Sequence, residues 1–290
     1  MPTTGTMFSP VSATGWKTDP VQLTKHHGLA NDFLVALDEG NDRALSIDGE
    51  LAIRWCHRRT GIGADGLIHG SRPDDGGPAG TDVVMHLFNS DGSPAEMSGN
   101  GIRCLAQALA RARGVENGTF SVMTDAGPRR LELHAVSPAV VQVSVDMGAA
   151  KPGPAVPGPV AEELGERYTT VDLGNPHLVI ETPAPDAVEL ETRGAWLEQQ
   201  FADGINVEFI AKDPGRPNAI VVRVWERGAG VTRACGTGAC AAAYAAERWG
   251  LVNGPVTVEM PGGVAEVQLG DPVVLVGPAA FIATIEVPDG

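Results

Sequence analysis

The sequence predicts an α+β fold of two pseudo-symmetric domains, in which each domain is a mixed, mostly antiparallel sheet curled around a central helix. Three observations support this prediction. A glycine-rich motif followed by an alanine-rich segment occurs twice, 137 positions apart, and short alternating segments typical of strands surround each copy. A Pro/Gly-rich stretch at 148–159 separates the two halves. We expect the functional site in the cleft between the domains.

The repeated motif is Ser98-Gly-Asn-Gly in the first half and Cys235-Gly-Thr-Gly in the second. Each copy runs into strong helix formers and ends near a glycine, which predicts two helices with glycine stops. Glu226 and Asn89 lie nine positions before their motifs, at the same offset. Self-similarity over this distance predicts a duplicated domain with two helix starts that face each other.

The remaining elements follow from hydrophobic alternation and turn residues, in chain order. In the first half, we predict strands at 21–25, 33–37, 67–69 and 82–89, a helix at 46–58 that begins at Ser46, and an antiparallel meander at 118–124, 130–134 and 139–146. In the second half, we predict strands at 167–173, 177–181, 206–211, 219–225, 256–260, 264–269 and 273–276, and a helix at 188–201.

These elements divide the chain into three parts. Residues 1–20 are rich in Thr, Ser, Pro and Gly and are predicted to form a disordered extension. Residues 279–287 are predicted to cross back to the first half. The N-terminal domain is therefore predicted at 21–146 plus 279–290, and the C-terminal domain at 147–278.

Composition limits the function. The formal net charge of −15 argues against a nucleic-acid partner and against anionic membranes, and no apolar run is long enough to span a bilayer. The N-terminus lacks the pattern of a secretory signal. The four cysteines form no CxxC pair. We therefore expect a reduced, cytoplasmic protein without a metal site.

Cys235 is predicted at the N-terminus of a helix. Gly236 and Gly238 let the backbone approach a ligand, and the first free N–H groups favour an anion such as a carboxylate. The same field is expected to lower the pKa of the thiol, which makes Cys235 a candidate base or nucleophile. A small buried cysteine before a core helix is the alternative, and the second copy of the motif at Ser98 favours a functional role.

Two proton-carrying groups on opposite walls of a cleft, each beside a carboxylate-binding helix start, suit removal and return of the proton α to a carboxylate. The helix N–H groups would stabilise the negative charge that develops. No lysine-bearing motif or nucleotide fingerprint is present. The pattern therefore predicts a racemase or epimerase that uses no cofactor.

Over residues 22–282 the sequence resembles the diaminopimelate epimerase family, within the superfamily that includes proline racemases. The motifs that carry the resemblance are His27-Gly-Leu-Ala-Asn-Asp-Phe, Gly61-Ile-Gly-Ala-Asp-Gly, Phe88-Asn-Ser-Asp-Gly-Ser, Ser98-Gly-Asn-Gly, Gly174-Asn-Pro-His, Asn206, Glu226-Arg-Gly-Ala-Gly and Ala234-Cys-Gly-Thr-Gly-Ala-Cys. The resemblance implies cofactor-independent, two-base conversion of LL- to meso-diaminopimelate in lysine and peptidoglycan biosynthesis. It also implies a cytoplasmic homodimer.

The resemblance implies two groups of site residues. The catalytic group is Cys235, Ser98, His177 and Glu226. The substrate-binding group is Asn31, Asn89, Gly99, Asn100, Asn175, Asn206, Glu226, Arg227, Gly236 and Thr237. In the substrate-binding group, Arg227 suits a distal carboxylate and Glu226 an ammonium group. In the catalytic group, His177 is equally explained as a structural residue of a turn.

Ser98 stands where the family has its first catalytic cysteine. A hydroxyl is a weaker acid than a thiol and is rarely ionised without a neighbouring base. Three functions therefore stay open at this point. They are an epimerase in which Ser98 carries one proton, a one-base enzyme such as a hydroxyproline-type dehydratase, and an inactive variant that only binds an amino acid.

Overall fold

The computed structural model describes residues 20–73, 79–164 and 167–288. The predicted disordered extension at 1–20 lies outside the described residues, apart from Pro20. Within the described ranges the α-helices are α1 Asp38–Asn41, α2 Gly49–Cys56, α3 Gly99–Ala112, α4 Gly158–Leu164, α5 Leu190–Gln199 and α6 Gly236–Arg248, and a 3-10 helix lies at Pro185–Ala187. None of the helices in these ranges is long and apolar enough to cross a membrane.

The strands of the first half are β1 Val21–Gly28, β2 Asn31–Leu37, β3 Gly66–Ser71, β4 Val83–Asn89, β5 Pro94–Ala95, β6 Asn117–Thr124, β7 Gly127–Ala135 and β8 Val140–Asp146. Those of the second half are β9 Lys151–Pro152, β10 Tyr168–Asp172, β11 Pro176–Glu181, β12 Asn206–Lys212, β13 Ala219–Glu226, β14 Gly230–Thr232, β15 Val256–Met260, β16 Gly263–Gln268 and β17 Val274–Val287. The predicted strands and helices occur in this order, whereas α1, α4, β5, β9 and β14 were not predicted.

The first half closes into a ring of strands around α3. The ring runs β1, β2, β3, β4, β6, β7, β8, β17 and back to β1. Only β2–β3 and β4–β6 are parallel pairs in it. Alternate side chains of each strand point inward and pack on α3, whose residues from Gly99 to Ala110 are all buried.

The second half repeats this pairing around α6. Strands β10, β11, β12, β13, β15, β16 and β17 follow one another, and β11–β12 and β13–β15 are parallel at the positions that correspond to β2–β3 and β4–β6. The predicted α+β fold of two similar halves, each a mostly antiparallel sheet around one helix, is therefore confirmed.

The strand β17 joins the two halves. Its beginning pairs with β16, its residues 274–280 pair with β8, and its end pairs with β1. The sequence predicted a strand at 273–276 and, separately, the return of residues 279–287. In the structure both belong to one strand, which continues through Gly277 and Pro278. The return of residues 279–287 to the first half is confirmed, and the domain limits themselves stay a prediction.

Both central helices begin and end as the repeat predicts. The side chain of Ser98 accepts a hydrogen bond from Gly101 N, and that of Cys235 accepts one from Gly238 N. Beyond their last turns, Gly114 and Gly250 have φ values of 64° and 71°. This left-handed conformation suits glycine and ends each helix.

One local prediction is wrong. The helix predicted from Ser46 begins at Gly49, because Asp48 is its N-cap and its carboxylate accepts a hydrogen bond from Leu51 N. The Pro/Gly-rich stretch at 148–159, predicted as the boundary between the halves, contains β9, which pairs with β10, and the first two residues of α4.

One hydrophobic core spans both halves. It includes the buried faces of α3 and α6 together with strands from each sheet. A smaller cluster lies under α2 and contains Trp55 and Leu67, and another lies under α5 and contains Leu197 and Phe209. The two N-termini of α3 and α6 therefore rest on a shared support rather than on separate domain cores.

Candidate active site

A cleft of about 1000 Å³ lies between the two halves, at the N-termini of α3 and α6. Its walls contain every residue of the two predicted site groups except one. The residues brought together are Asn31, Asn89, Ser98, Gly99, Asn100, Asn175, Asn206, Glu226, Arg227, Cys235, Gly236 and Thr237. The exception is His177, which is fully buried behind the wall.

The two helix N-termini meet backbone to backbone in this cleft. A Cβ atom added to Gly99 would lie 2.9 Å from the Cα atom of Gly236, and one added to Gly236 would lie 2.7 Å from that of Gly99. A larger residue at either position would force the helices apart. Because the first turns of both helices converge, their free N–H groups form one anion-binding site between Ser98 and Cys235.

A chain of hydrogen bonds lies behind Cys235. The Nδ1 atom of His177 is 2.7 Å from Oε1 of Glu208, and its Nε2 atom is 3.0 Å from Oδ1 of Asn175. Asn175 in turn donates through Nδ2 to Oγ1 of Thr237 at 3.2 Å. The Thr237 hydroxyl is 3.5 Å from the Cys235 sulfur. His177 therefore fixes the orientation of Asn175 and Glu208 rather than lining the cleft.

The thiol of Cys235 differs from the expectation based on its helix position. Its pKa lies well above the ordinary value, because the side chain is buried and faces the carboxylates of Glu226 and Glu208. Hydrogen bonds with Thr237 and Gly238 N act in the opposite direction and are weaker. The predicted lowering of this pKa is wrong for the free protein, in which Cys235 is a thiol at neutral pH.

Glu226 is a carboxylate of the cleft whose pKa is strongly shifted. Burial raises its pKa to about 7, with a further increase from Glu208, while hydrogen bonds from Thr232 and Cys235 and the charge of His177 partly offset the rise. The Thr232 hydroxyl donates to Oε1 of Glu226. A group that titrates near neutral pH beside a thiol is suited to bind an ammonium group or to exchange a proton.

Arg227 extends the second-half wall away from the helix N-termini. Its main-chain N–H donates to Oδ1 of Asn206 at 2.9 Å, and Nδ2 of Asn206 donates to Pro176 O at 3.0 Å. Its Nη1 atom donates to Asp203 O at 3.2 Å. The guanidinium is exposed to the cleft, where its remaining donors can hold a carboxylate.

On the opposite wall, amide side chains surround Ser98. Asn100 donates through Nδ2 to Oδ1 of Asn31 at 3.2 Å and to Ala234 O at 2.9 Å, so it links the two halves beside Cys235. Asn89 donates through Nδ2 to Oγ of Ser93 at 3.0 Å. The Ser98 hydroxyl accepts from Gly101 N at 3.0 Å, which is the position that the Cys235 sulfur has on α6.

The sequence interpretation missed a charged network at the mouth of the cleft. Arg58 binds Asp32 at 2.6 Å and Asp65 at 2.7 Å through Nη2, and Lys25 binds Asp32 at 2.9 Å. Asp65 accepts a hydrogen bond of 2.8 Å from Nδ2 of Asn31 and so orients it. The signal was present, since both aspartates belong to motifs of the family resemblance.

Glu208 was also missed. It lies two residues after Asn206 in β12, and alternate residues of a strand share a face, so its position could have been inferred from the pattern. Within the described ranges, no group of three or more His, Cys, Asp or Glu side chains is arranged to hold a metal ion.

Comparisons with known proteins identify this arrangement. The family model described as diaminopimelate epimerase matches residues 23–152 and 169–282. The diaminopimelate epimerase of Synechocystis is 40% identical over 86% of this chain and 91% of its own. That of Corynebacterium glutamicum is 38% identical over 92% of this chain and 98% of its own.

The fold also agrees with a solved structure. A hydroxyproline epimerase from Agrobacterium vitis superposes with a TM-score of 0.66 at 14% identity, covering 93% of each chain. This similarity concerns the fold alone. The family-model match covers most of the chain and the relatives align over nearly their full length. The chain therefore belongs to the diaminopimelate epimerase family.

Proposed function

We propose that this protein converts LL-diaminopimelate to meso-diaminopimelate by removing the proton from one α-carbon and returning a proton to the opposite face, without a cofactor. The observation that carries the proposal is the contact between Gly99 and Gly236, which brings two capped helix N-termini into one cleft. Ser98 and Cys235 lie at equivalent positions on its two sides. The enzyme is thus an isomerase of an amino acid.

The substrate has separate places for its charged groups. Main-chain N–H groups of Gly99, Asn100, Gly236 and Thr237 bind the reacting carboxylate and stabilise the negative charge that develops as the proton leaves. Glu226 binds the neighbouring ammonium group. Arg227 binds the distal carboxylate through its exposed guanidinium, with Asn206 fixing its backbone.

The proton carriers have different tasks. In the free enzyme Cys235 retains its proton, because burial, Glu226 and Glu208 all raise its pKa. A bound ammonium group offsets these negative charges, so substrate binding favours the thiolate and lets Cys235 act in either direction. Ser98 is the weaker acid of the two, and we expect the step at Ser98 to limit the rate.

We further propose that the enzyme works as a homodimer in the cytoplasm. Family membership supports the dimer, and the four free cysteines fit a reducing compartment. Light scattering coupled to size-exclusion chromatography should give twice the 30.1 kDa mass of one chain. A mass of one chain at working concentrations would contradict the dimer and leave the proposed reaction untouched.

The reaction is tested by proton NMR of LL-diaminopimelate in deuterated water, followed by separation of the stereoisomers. We expect loss of the α-proton signal and formation of the meso isomer. Cys235→Ala should reduce both by about 100- to 10,000-fold, the range of general acid–base catalysis. Ser98→Ala should reduce the rate of meso-isomer formation by a similar factor. Cys240→Ala, on the same helix but buried away from the cleft, is the matched control.

Three outcomes would overturn the proposal. Exchange that survives Cys235→Ala would remove the thiol from the mechanism. Exchange of the α-proton without meso product would favour a one-base enzyme, as would elimination from a β-substituted amino acid. Tight binding of the amino acid without any exchange would favour a protein that only binds it.

A further inference from the structure

Arg103 is a buried cation that the mechanism above does not use. It lies in the second turn of α3, and its side chain is fully buried. The equivalent position in α6, at the same offset of 137, is Cys240. The two helices are otherwise similar in their caps, their first turns and their alanine content, so the guanidinium is a difference between them.

Its donors reach neutral oxygen atoms. Nη1 donates to Gly99 O at 2.9 Å, Nη2 donates to Oδ1 of Asn100 at 2.7 Å, and Nε donates to Pro278 O at 3.3 Å. No carboxylate in the described parts of the chain forms an ion pair with Arg103. Burial lowers its pKa to about 10, which leaves the guanidinium charged at neutral pH. A buried charge of this kind usually has an ionic partner.

Two glycines leave room for the side chain of Arg103. A Cβ atom added to Gly28 of β1 would lie 3.2 Å from Nη2 of Arg103, and one added to Gly277 of β17 would lie 3.1 Å from its Cζ atom. The crossing strand β17 thus brings a glycine and a carbonyl to the guanidinium.

Two of the contacts of Arg103 are with residues whose N–H groups lie at the start of α3. Gly99 and Asn100 are the first two residues of α3, and both are held by the guanidinium. Asn100 then donates to Ala234 O at 2.9 Å, one residue before Cys235. Arg103 therefore fixes the first turn of α3, links it through Asn100 to the residue before Cys235, and places a positive charge behind the first turn of α3.

The charges on the two sides of the cleft are opposite. Behind Cys235 lie the carboxylates of Glu226 and Glu208, and Oε2 of Glu208 is buried without a hydrogen-bond partner among the described residues. Behind Ser98 lies Arg103. A substrate α-carbon carries an ammonium and a carboxylate group, so this separation of charge favours the ammonium group beside Glu226 and the carboxylate on the N–H groups that Arg103 supports.

We propose that Arg103 is a positioning residue for the reaction, whose buried positive charge is balanced by the substrate α-carboxylate and by the further negative charge that develops when the α-proton leaves. It acts through Gly99 and Asn100 and does not touch the substrate. The free enzyme holds an unbalanced cation, and the bound carboxylate is its missing partner. This inference rests on the proposed function, because it names the charge that the same site recognises.

The test compares Arg103→Met, Arg103→Lys and the control Arg111→Met. Arg111 is also on α3 and also donates to a proline carbonyl, Pro138 O at 3.1 Å, but on the exposed surface. We expect Arg103→Met to lower kcat for α-proton exchange by about 100-fold or more, with a smaller change in KM, as for loss of one group that stabilises a developing anion. Arg103→Lys keeps the charge and should recover at least about tenfold of that loss. Arg111→Met should match the native enzyme.

A second variant addresses the case in which Arg103→Met does not fold. Asn100→Asp would give the guanidinium an internal carboxylate partner while Arg103 stays in place. We expect a comparable loss of kcat, with folding verified by circular dichroism. If Arg103→Met or Asn100→Asp retained native kcat, or if methionine and lysine at position 103 were equally poor, the proposal would be overturned, since charge would not matter.

Binding of LL-diaminopimelate, measured by calorimetry, separates this inference from the proposed function. Native protein that binds but shows no exchange contradicts the epimerase. In that case, equal dissociation constants for native protein and Arg103→Met also contradict the role of Arg103. Binding that is at least about tenfold weaker in Arg103→Met, and restored in Arg103→Lys, supports that role.

Discussion

The same local motif at Ser98 and Cys235 is placed in two different electrostatic environments. The helix N–H groups are alike on both sides, yet the carboxylates around Cys235 come from β12 and β13, and the guanidinium behind Ser98 comes from α3. Local sequence therefore predicts the hydrogen bond that caps each helix but not the titration of the capping side chain, which depends on strands distant in the chain.

The carboxylate of Glu226 should contribute to the ionisation of Cys235. Burial first, and then the charge of Glu226, raise the pKa of the thiol, so Glu226→Gln, which removes that negative charge, lowers the pKa. At mildly alkaline pH the thiolate fraction then increases, and alkylation of Cys235 by iodoacetamide becomes several-fold faster, with the whole pH–rate profile displaced to lower pH. Mass spectrometry of the peptides distinguishes Cys235 from the other cysteines.

Glu247→Gln is the control for this experiment, since Glu247 lies on the same helix but is exposed near its C-terminus. It should leave the alkylation profile of Cys235 unchanged. A profile displaced equally by both variants would indicate a general effect of net charge, and an unchanged profile in Glu226→Gln would show that the charge of Glu226 does not contribute to the pKa of Cys235.

More of the secondary structure than of the site could be predicted from the sequence. The repeat of Ser98 and Cys235, together with alternation in the strands, predicts two similar halves and the order of their elements, because each depends on local spacing. The continuity of β17 could not be predicted, because Gly277-Pro278 is retained in a strand through its contacts with Arg103. Likewise, Asp48 rather than Ser46 begins α2, a choice that one side-chain hydrogen bond decides.

The glycines at the two ends of α3 have different roles, which substitution of each glycine by alanine distinguishes. Gly99→Ala would place a Cβ atom 2.9 Å from both Gly236 Cα and Leu275 Cδ2, and the backbone of Gly236 cannot move aside easily. We expect a loss of stability of about 1–3 kcal/mol from overpacking, together with at least about tenfold weaker substrate binding, because the paired N–H groups separate.

Gly114→Ala is the comparison at the other end of α3. It would add a Cβ atom into open space but at a φ of 64°, which costs about 1–2 kcal/mol for an L-residue. Its activity should remain native. Urea unfolding gives the two stabilities and calorimetry the two affinities. Equal affinities in both variants would contradict a binding role for the contact between Gly99 and Gly236.

At the scale of the whole molecule, the site lies where the two halves share structure. The core that contains α3 also contains α6, β17 belongs to both strand systems, and Asn100 bonds across the cleft to Ala234 O. A duplicated fold with separate cores would allow its halves to move independently. Here the shared core holds Ser98 and Cys235, the two proposed proton carriers, at a fixed separation, which a two-base reaction requires.

Leu275 tests this coupling, because it is fully buried in β17 and its Cδ2 atom lies beside both Gly99 and Gly236. Leu275→Ala should destabilise the protein by about 2–5 kcal/mol through the cavity that it leaves. If the halves unfold together, the free energy of opening measured by hydrogen exchange should decrease by the same amount for the protected amides of α3 and of α6. Loss of protection in one helix alone would instead show that the halves are independent, and the fixed geometry of Ser98 and Cys235 would then have to come from the bound substrate.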